Sequence, residues 1–163
     1  MAPNHLLIAA QVFFVDAMAL GWATRGDEAL VPDVLPGHKS FEYSEGRFRL
    51  IDRHSARPHS TRSSGSITIW CEGEVVWVMT YQGSYHGRVI SFLQKALREA
   101  YSQRRRFIGG RGPSVFLGQG LAYTNRVEIP DFGYFKGREE IYDVGTKVSL
   151  GFHDYSGLSL IDW

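Results

Sequence analysis

The chain has 163 residues, with 18 Lys and Arg against 17 Asp and Glu, 44% apolar and 13% aromatic residues. A net charge of +1 gives no global pull toward nucleic acid or an anionic membrane, and this composition excludes disordered, collagen-like and coiled-coil chains. The length fits one domain, 1–163, able to bury roughly two thirds of its unfolded surface, and the single cysteine, Cys71, excludes a disulfide framework, which fits a cytoplasmic setting.

The first element is a helix over about Asn4–Ala23, with Asn4 as N-cap and Gly21 near its end. The run lacks the positive n-region of a secretory signal, and Gln11 and Asp16 interrupt it. It is apolar on most faces, so it must be covered on more than one side. Packing between the sheet and a second copy of the chain satisfies that, and a homodimer is expected.

A loop follows from Thr24 to Gly37, punctuated by Gly26, Pro32 and Pro36. From Lys39 the period becomes two. Phe48, Leu50, Asp52 and His54 share one face, and Arg49, Ile51 and Arg53 the other. Ser55–Ser66 reads as a loop or frayed edge. Ile67–Tyr81 is a hairpin turning at Glu72-Gly73. A helix from Arg88 or Ser91 to Tyr101 carries an apolar stripe of Val89, Phe92, Leu93, Ala96, Leu97 and Ala100. The basic run Gln103–Arg106 reads as its solvated end. Beyond Phe107 the signals are those of strands.

Gly65, Ile69, Trp70, Gly73 and Val76 recur as Gly137, Ile141, Tyr142, Gly145 and Val148, each 72 residues on. Two related β-units, about 39–83 and 114–157, therefore flank the central helix. The expected fold is α+β: a curved antiparallel β-sheet built from these two units, packed with an N-terminal and a central helix.

Ideal pairing across Glu72-Gly73 puts Ile67, Ile69, Val76 and Val78 on one face. Thr68, Trp70, Val75, Trp77, Met79 and Tyr81 then fall on the other, as a second core layer or an aromatic ligand pocket. A second hairpin, turning at Val144-Gly145, puts Ile141, Val148, Leu150 and Phe152 on one face. Arg138, Glu140, Tyr142, Lys147, Ser149, Gly151, His153 and Tyr155 fall on the other. That polar face is either solvated or the wall of the aromatic pocket.

No G-x-S-x-G, H-E-x-x-H or Walker sequence is present. No cofactor motif and no metal-ligand spacing occur either. Asp52 and His54 form the best local acid–base pair, and His153 is the best lone histidine. Glu140 is the polar-face carboxylate. Glu139, among aliphatic residues, is either near an edge or buried with a raised pKa. Arg111, in Gly109-Gly110-Arg111-Gly112-Pro113, is a tight-loop arginine that binds an anion or forms a structural ion pair. Cys71 reads as a packed thiol.

Several runs together carry a resemblance. They include Pro36-Gly37, Phe41-Glu42-Tyr43, Leu50-Ile51-Asp52, Val76–Gly83, Ser91–Leu97, Arg111-Gly112-Pro113, Tyr134–Ile141 and Phe152-His153. In this order they resemble the family designated domain of unknown function 5680, over nearly the whole chain. Lys39 stands where the family has histidine, and Ser66-Ile67 where it has a glutamate pair. The resemblance implies a coherent fold and, through members joined to helix-turn-helix domains, a link to regulators. It implies no particular reaction.

The reading of function is a protein that binds a small hydrophobic organic ligand, leaning to cofactor-independent acid–base catalysis of the isomerase, cyclase or dehydratase (lyase) type. His153, Asp52, His54 and Glu140 are the catalytic candidates. Trp70, Trp77, Met79, Tyr81, Tyr142, Arg111 and Tyr155 are the ligand-binding candidates. The alternative is a non-catalytic ligand-sensing or interaction module. Neither a nucleic-acid nor a membrane partner is expected.

Overall fold

The computed structural model describes residues 5–102, 107 and 109–161. Asn4 and the Gln103–Arg106 run lie outside the described residues. Helix α1 spans His5–Leu20, and a short α2, Trp22–Arg25, follows a break at Gly21. Gly21 faces the Phe41 ring, where a Cβ would stand 3.3 Å from it. The expected helix is thus divided where the chain passes that ring.

After a 3₁₀ turn, Gly26–Ala29, come β1 (Val31–Pro32), β2 (His38–Glu45), β3 (Phe48–Ala56), β4 (Arg62–Cys71) and β5 (Glu74–Tyr85). Helix α3 spans Ile90–Ser102. Strands β6 (Val115–Gly118), β7 (Leu121–Asp131), β8 (Tyr134–Asp143) and β9 (Ser149–Ser159) follow. Much of the stretch read as a loop, Ser55–Ser66, is strand, because β3 and β4 pair as far as Ala56↔Ser63.

Among the described residues nine strands form one antiparallel sheet in the order β1-β2-β3-β4-β5-β9-β8-β7-β6. The fold is α+β, and the sheet consists of two meanders joined along β5 and β9. At this seam Tyr81 stands directly opposite Tyr155. Gly65 flanks Tyr81 on β4, and Gly137 flanks Tyr155 on β8. Each tyrosine leans across its glycine toward the next strand. Tyr81 Oη donates to Asp52 Oδ1 at 2.8 Å, and Tyr155 Oη donates to Asn125 Oδ1 at 2.6 Å. A Cβ on either glycine would fall 2.2–2.3 Å from its tyrosine ring or hydroxyl, so both positions require glycine. The 72-residue spacing of Gly65 and Gly137 on β4 and β8 thus belongs to a pseudo-twofold relation centred on the tyrosine pair.

The helices cover one face of the sheet, here the inner face. Helix α1 is apolar on most faces, and Ala10, Phe13, Phe14, Ala17 and Met18 are buried. Phe14 packs on Trp77, which is fully buried and stacked between Phe132 and Phe135 at 4.8 and 5.4 Å. Burying side chains of this size stabilises by about 1.5–3 kcal/mol each. Ile8 and Val12 face outward from α1, at 46% and 53% exposure. By length and composition the helical run His5–Ala29 could cross a membrane, but its inward residues belong to the core.

The facial sorting of the first hairpin is overturned. The turn is Glu72-Gly73, with Cys71 opposite Glu74. The register then shifts: Trp70 pairs with Val75, but Ile69 pairs with Trp77. Val76 is the extra residue of a β-bulge, and one extra residue exchanges the two faces beyond it. Ile67, Ile69, Trp77, Met79 and Tyr81 therefore share the inner face, while Thr68, Val78 and Thr80 face outward. The second hairpin has a connection over 144–148, with Thr146 N–H donating to Asp143 Oδ1. A register shift after Ile141 places Glu139, Ile141, Gly151, His153 and Tyr155 on the inner face. His153 and Tyr155 are thereby separated from Arg138, Glu140 and Tyr142.

Candidate functional site

Directly opposed residues form rows across a sheet. One row runs Ser63, Gly83, His153, Glu139, Asn125 over β4, β5, β9, β8 and β7. Strands lie about 4.8 Å apart, so β4 and β9 are separated by roughly 10 Å. Gly83 leaves the space between them open. A Cβ there would stand 1.9 Å from the Phe152 carbonyl oxygen and 2.8 Å from the His153 ring. Across this gap Ser63 Oγ lies 3.1 Å from His153 Nε2. On the other side His153 Nδ1 lies 3.3 Å from Glu139 Oε1.

Glu139 is fully buried and Arg111 is 7% exposed. Arg111 Nη2 and Nε donate to Glu139 Oε1 at 2.6 and 3.0 Å. Tyr123 Oη donates to Oε2 at 2.6 Å. The arginine is delivered by the glycine-rich loop. Gly109 and Gly110 have φ of +74° and +77°, the left-handed region that glycine enters at little cost. Tyr101 Oη donates to the Gly110 carbonyl, Gly112 N–H to Tyr123 Oη, and Asn125 Nδ2 to the Gly112 carbonyl. The loop is therefore pinned from α3 and β7.

Electrostatics follow from this burial. Burial alone pushes the Glu139 carboxyl up, but Arg111 and His153 outweigh it and hold the group at about 2. The expectation of a raised value is corrected, because it did not place Arg111 against the carboxylate. Burial lowers the His153 value against the opposing pull of Glu139, so the ring is neutral near pH 7. Burial also lowers His54, with His153 and Arg111 acting in the same direction. Asp52 is raised to about 6 by burial, which the Tyr81 hydrogen bond and Arg111 only partly offset. The Tyr85 hydroxyl is buried beside Glu139 without a hydrogen bond of adequate geometry, and its ring meets the His153 ring edge-on at 4.9 Å.

The candidates from the sequence are distributed as follows. His153, Asp52, His54, Arg111, Tyr81 and Tyr155 share the inner face. Arg111 lies over the Tyr81 ring, 5.1 Å from its centroid. Asp52 is engaged by Tyr81 rather than by His54, although Asp52 and His54 do share a face. Trp77 and Met79 are core residues with no exposure. Trp70, Glu140 and Tyr142 lie on the outer face, where Glu140 accepts from Ser149 Oγ at 2.6 Å. The aromatic set therefore does not line one cavity. Cys71 is buried, as expected of a packed thiol. Among the described residues no group of three His, Cys, Asp or Glu could hold a metal ion.

Ser63, Gly83, Tyr123 and Asn125 escaped the sequence reading. Their grouping depends on the β5–β9 pairing, which joins strands about 70 residues apart. A separate trough of about 860 Å³ opens on the outer face, lined in part by Arg53, Ser64, Thr80, Gln82, Lys136 and Asp154.

No curated protein and no solved structure matches the chain. A family model, Domain of unknown function (DUF5680), matches residues 59–157. That span contains the whole Ser63–Asn125 row, the arginine loop, β5 and most of β9. The chain belongs to the DUF5680 family.

Proposed function

We propose that the protein is a cofactor-independent acid–base enzyme that acts on a small organic molecule at the Ser63–His153 end of the inner face. The observation that carries this reading is the continuous connection from partly buried Ser63 through neutral His153 to the buried Glu139–Arg111 pair. A neutral imidazole with a fixed partner on each nitrogen is equipped to take up and return a proton near pH 7. The pseudo-twofold supplies an internal comparison. It relates His153 to Met79 and Glu139 to Ile67, and both of those residues are fully buried and apolar. The fold is therefore satisfied by apolar residues at these positions. Placing an acid and a base there costs desolvation and supports a functional role.

The outer trough favours the second reading, a non-catalytic ligand-binding module. A screen of small organic molecules by amide chemical-shift perturbation separates the two. The enzyme reading expects shifts at Ser63, His54 and His153, and chemical change of a bound compound that His153→Gln abolishes. Ligands that shift only Thr80, Gln82 and Asp154, and are never altered, would favour the module. The expected homodimer belongs to the same proposal. Ile8 and Val12 lie one turn apart on the exposed side of α1, and sedimentation reads the association.

A further inference from the structure

We propose that the outer trough binds a neutral oligosaccharide. This site does not rest on the acid–base reading, because Ser66, Thr80 and Ser156 lie on the opposite face of the sheet from His153. The trough arises where short side chains stand between long ones. Directly opposed residues form an outer row Arg53, Ser66, Thr80, Ser156, Lys136 over β3, β4, β5, β9 and β8. Its three central members carry hydroxyls, and its ends are long cations. At about 4.8 Å per strand the row is roughly 19 Å long, which suits several linked rings rather than one. A second row, Ser64, Gln82, Asp154, runs along one side of it, and a third, Val78, Leu158, Tyr134, along the other.

Three features select the ligand. The first is charge. The Lys, Arg, Asp and Glu residues lining the trough are Arg53, Glu128, Lys136 and Asp154, two of each sign. Each already meets a counter-charge. Arg53 Nε donates to Asp33 Oδ2 at 2.8 Å, Lys136 Nζ lies 3.1 Å from Glu128 Oε2, and Arg138 Nη1 donates to the Asp154 oxygens at 2.9 and 3.0 Å. The trough therefore has no net pull on an ion. The second is hydrogen bonding. The side chains of Ser64, Ser66, Thr80, Gln82 and Ser156 have no hydrogen-bond partner among the described residues. An apolar ligand would strip water from these groups and return nothing. A polyol offers a donor and an acceptor at every hydroxyl. The third is the row on the far side, where Leu158 and Tyr134 are 43% and 49% exposed. A sugar ring has hydroxyls at its rim and C–H groups on its faces, so it meets the hydroxyl row and this apolar strip together.

Amide chemical-shift titration of the intact chain with maltotetraose, cellotetraose and chitotetraose tests this, with inorganic phosphate and tetragalacturonate as charged controls. At least one neutral probe should shift Thr80, Ser156 and Lys136, with a Kd of about 1 mM or below. The affinity should be the same at low and high salt, because no net charge is there to be screened. Tyr134→Ala, and Thr80→Val, which keeps the branched shape and removes the hydroxyl, should each weaken binding roughly 2–10-fold. Both positions are exposed, and a native-like amide spectrum establishes that each variant folds. No shift with any neutral probe overturns the proposal. Tighter, salt-sensitive binding of either charged control overturns it in favour of an anion site. Shifts confined to Ser63, His54 and His153 overturn it by placing the sugar on the inner face. Trough shifts that follow protein concentration without any sugar overturn it by assigning the face to a second copy of the chain.

Discussion

The two halves of the sheet treat the same position differently: the Tyr81 hydroxyl meets an aspartate, the Tyr155 hydroxyl an asparagine. Asp52→Asn copies the second arrangement into the first and keeps an acceptor for Tyr81. The Asp52 carboxyl has a folded pKa of about 6 against an ordinary 3.8. A group whose folded pKa is raised favours the fold below its unfolded value, and that contribution is lost as pH rises through the folded value. The native protein therefore gives up stability between about pH 4 and pH 8, because a buried carboxyl must ionise. Two units at about 1.4 kcal/mol each amount to roughly 2–3 kcal/mol. The variant has no such group. Its stability relative to the native chain should rise by about 2–3 kcal/mol between about pH 4 and pH 8, whatever constant offset the amide introduces. In thermal unfolding this is a relative gain of roughly 4–12 °C for a domain of this size. Urea denaturation at both pH values gives the free energies directly. A pH-independent difference, or a variant that loses ground at high pH, would refute the burial argument.

Glu139→Gln should cost about 3–5 kcal/mol at neutral pH, because it leaves the Arg111 guanidinium buried without a counter-charge. Adding Arg111→Met should recover part of that loss, and additive losses in urea denaturation would show that the pair is not coupled. In the native chain the Glu139 contribution is present above pH 4.5 and disappears as pH falls toward its folded value of about 2, the opposite direction to Asp52. Gly83→Ala should destabilise by more than about 3 kcal/mol, since its Cβ meets backbone at 1.9 Å, and a melting temperature near that of the native chain would contradict the register. Trp77→Ala should cost about 3–5 kcal/mol by calorimetry through loss of packing against Phe14, Phe132 and Phe135.

The legible parts of the fold were local. Helix α3 shows a single apolar stripe, and Glu72-Gly73 carries a turn signal, with φ of +53° and +91°. The alternation Phe48, Leu50, Asp52, His54 continues without interruption in β3. The 72-residue offset between β4 and β8 was also visible, because Gly65 and Gly137 are each held by a tyrosine ring. What misled was counting outward from a turn. The bulge at Val76 sits between two residues that would pair acceptably either way, so composition gives no warning of it. The offset after Ile141 acts likewise on His153. His153 and Arg111 were identified as residues, but their relation to Ser63 and Glu139 depends on a strand pairing that no local pattern encodes.

Strand β9 is last in chain order yet lies between β5 and β8 in the sheet. During synthesis the first meander therefore stands with the whole of β5 as an open edge, and the second ends on β8. Both carry unpaired backbone groups beside apolar residues such as Met79 and Phe135 until residues 149–159 arrive. Open edges of this kind invite pairing with other chains, and contacts of long sequence separation form slowly. The nascent protein is accordingly most prone to aggregate immediately before its last strand is made. A break in β9 would split the sheet in two rather than trim its border.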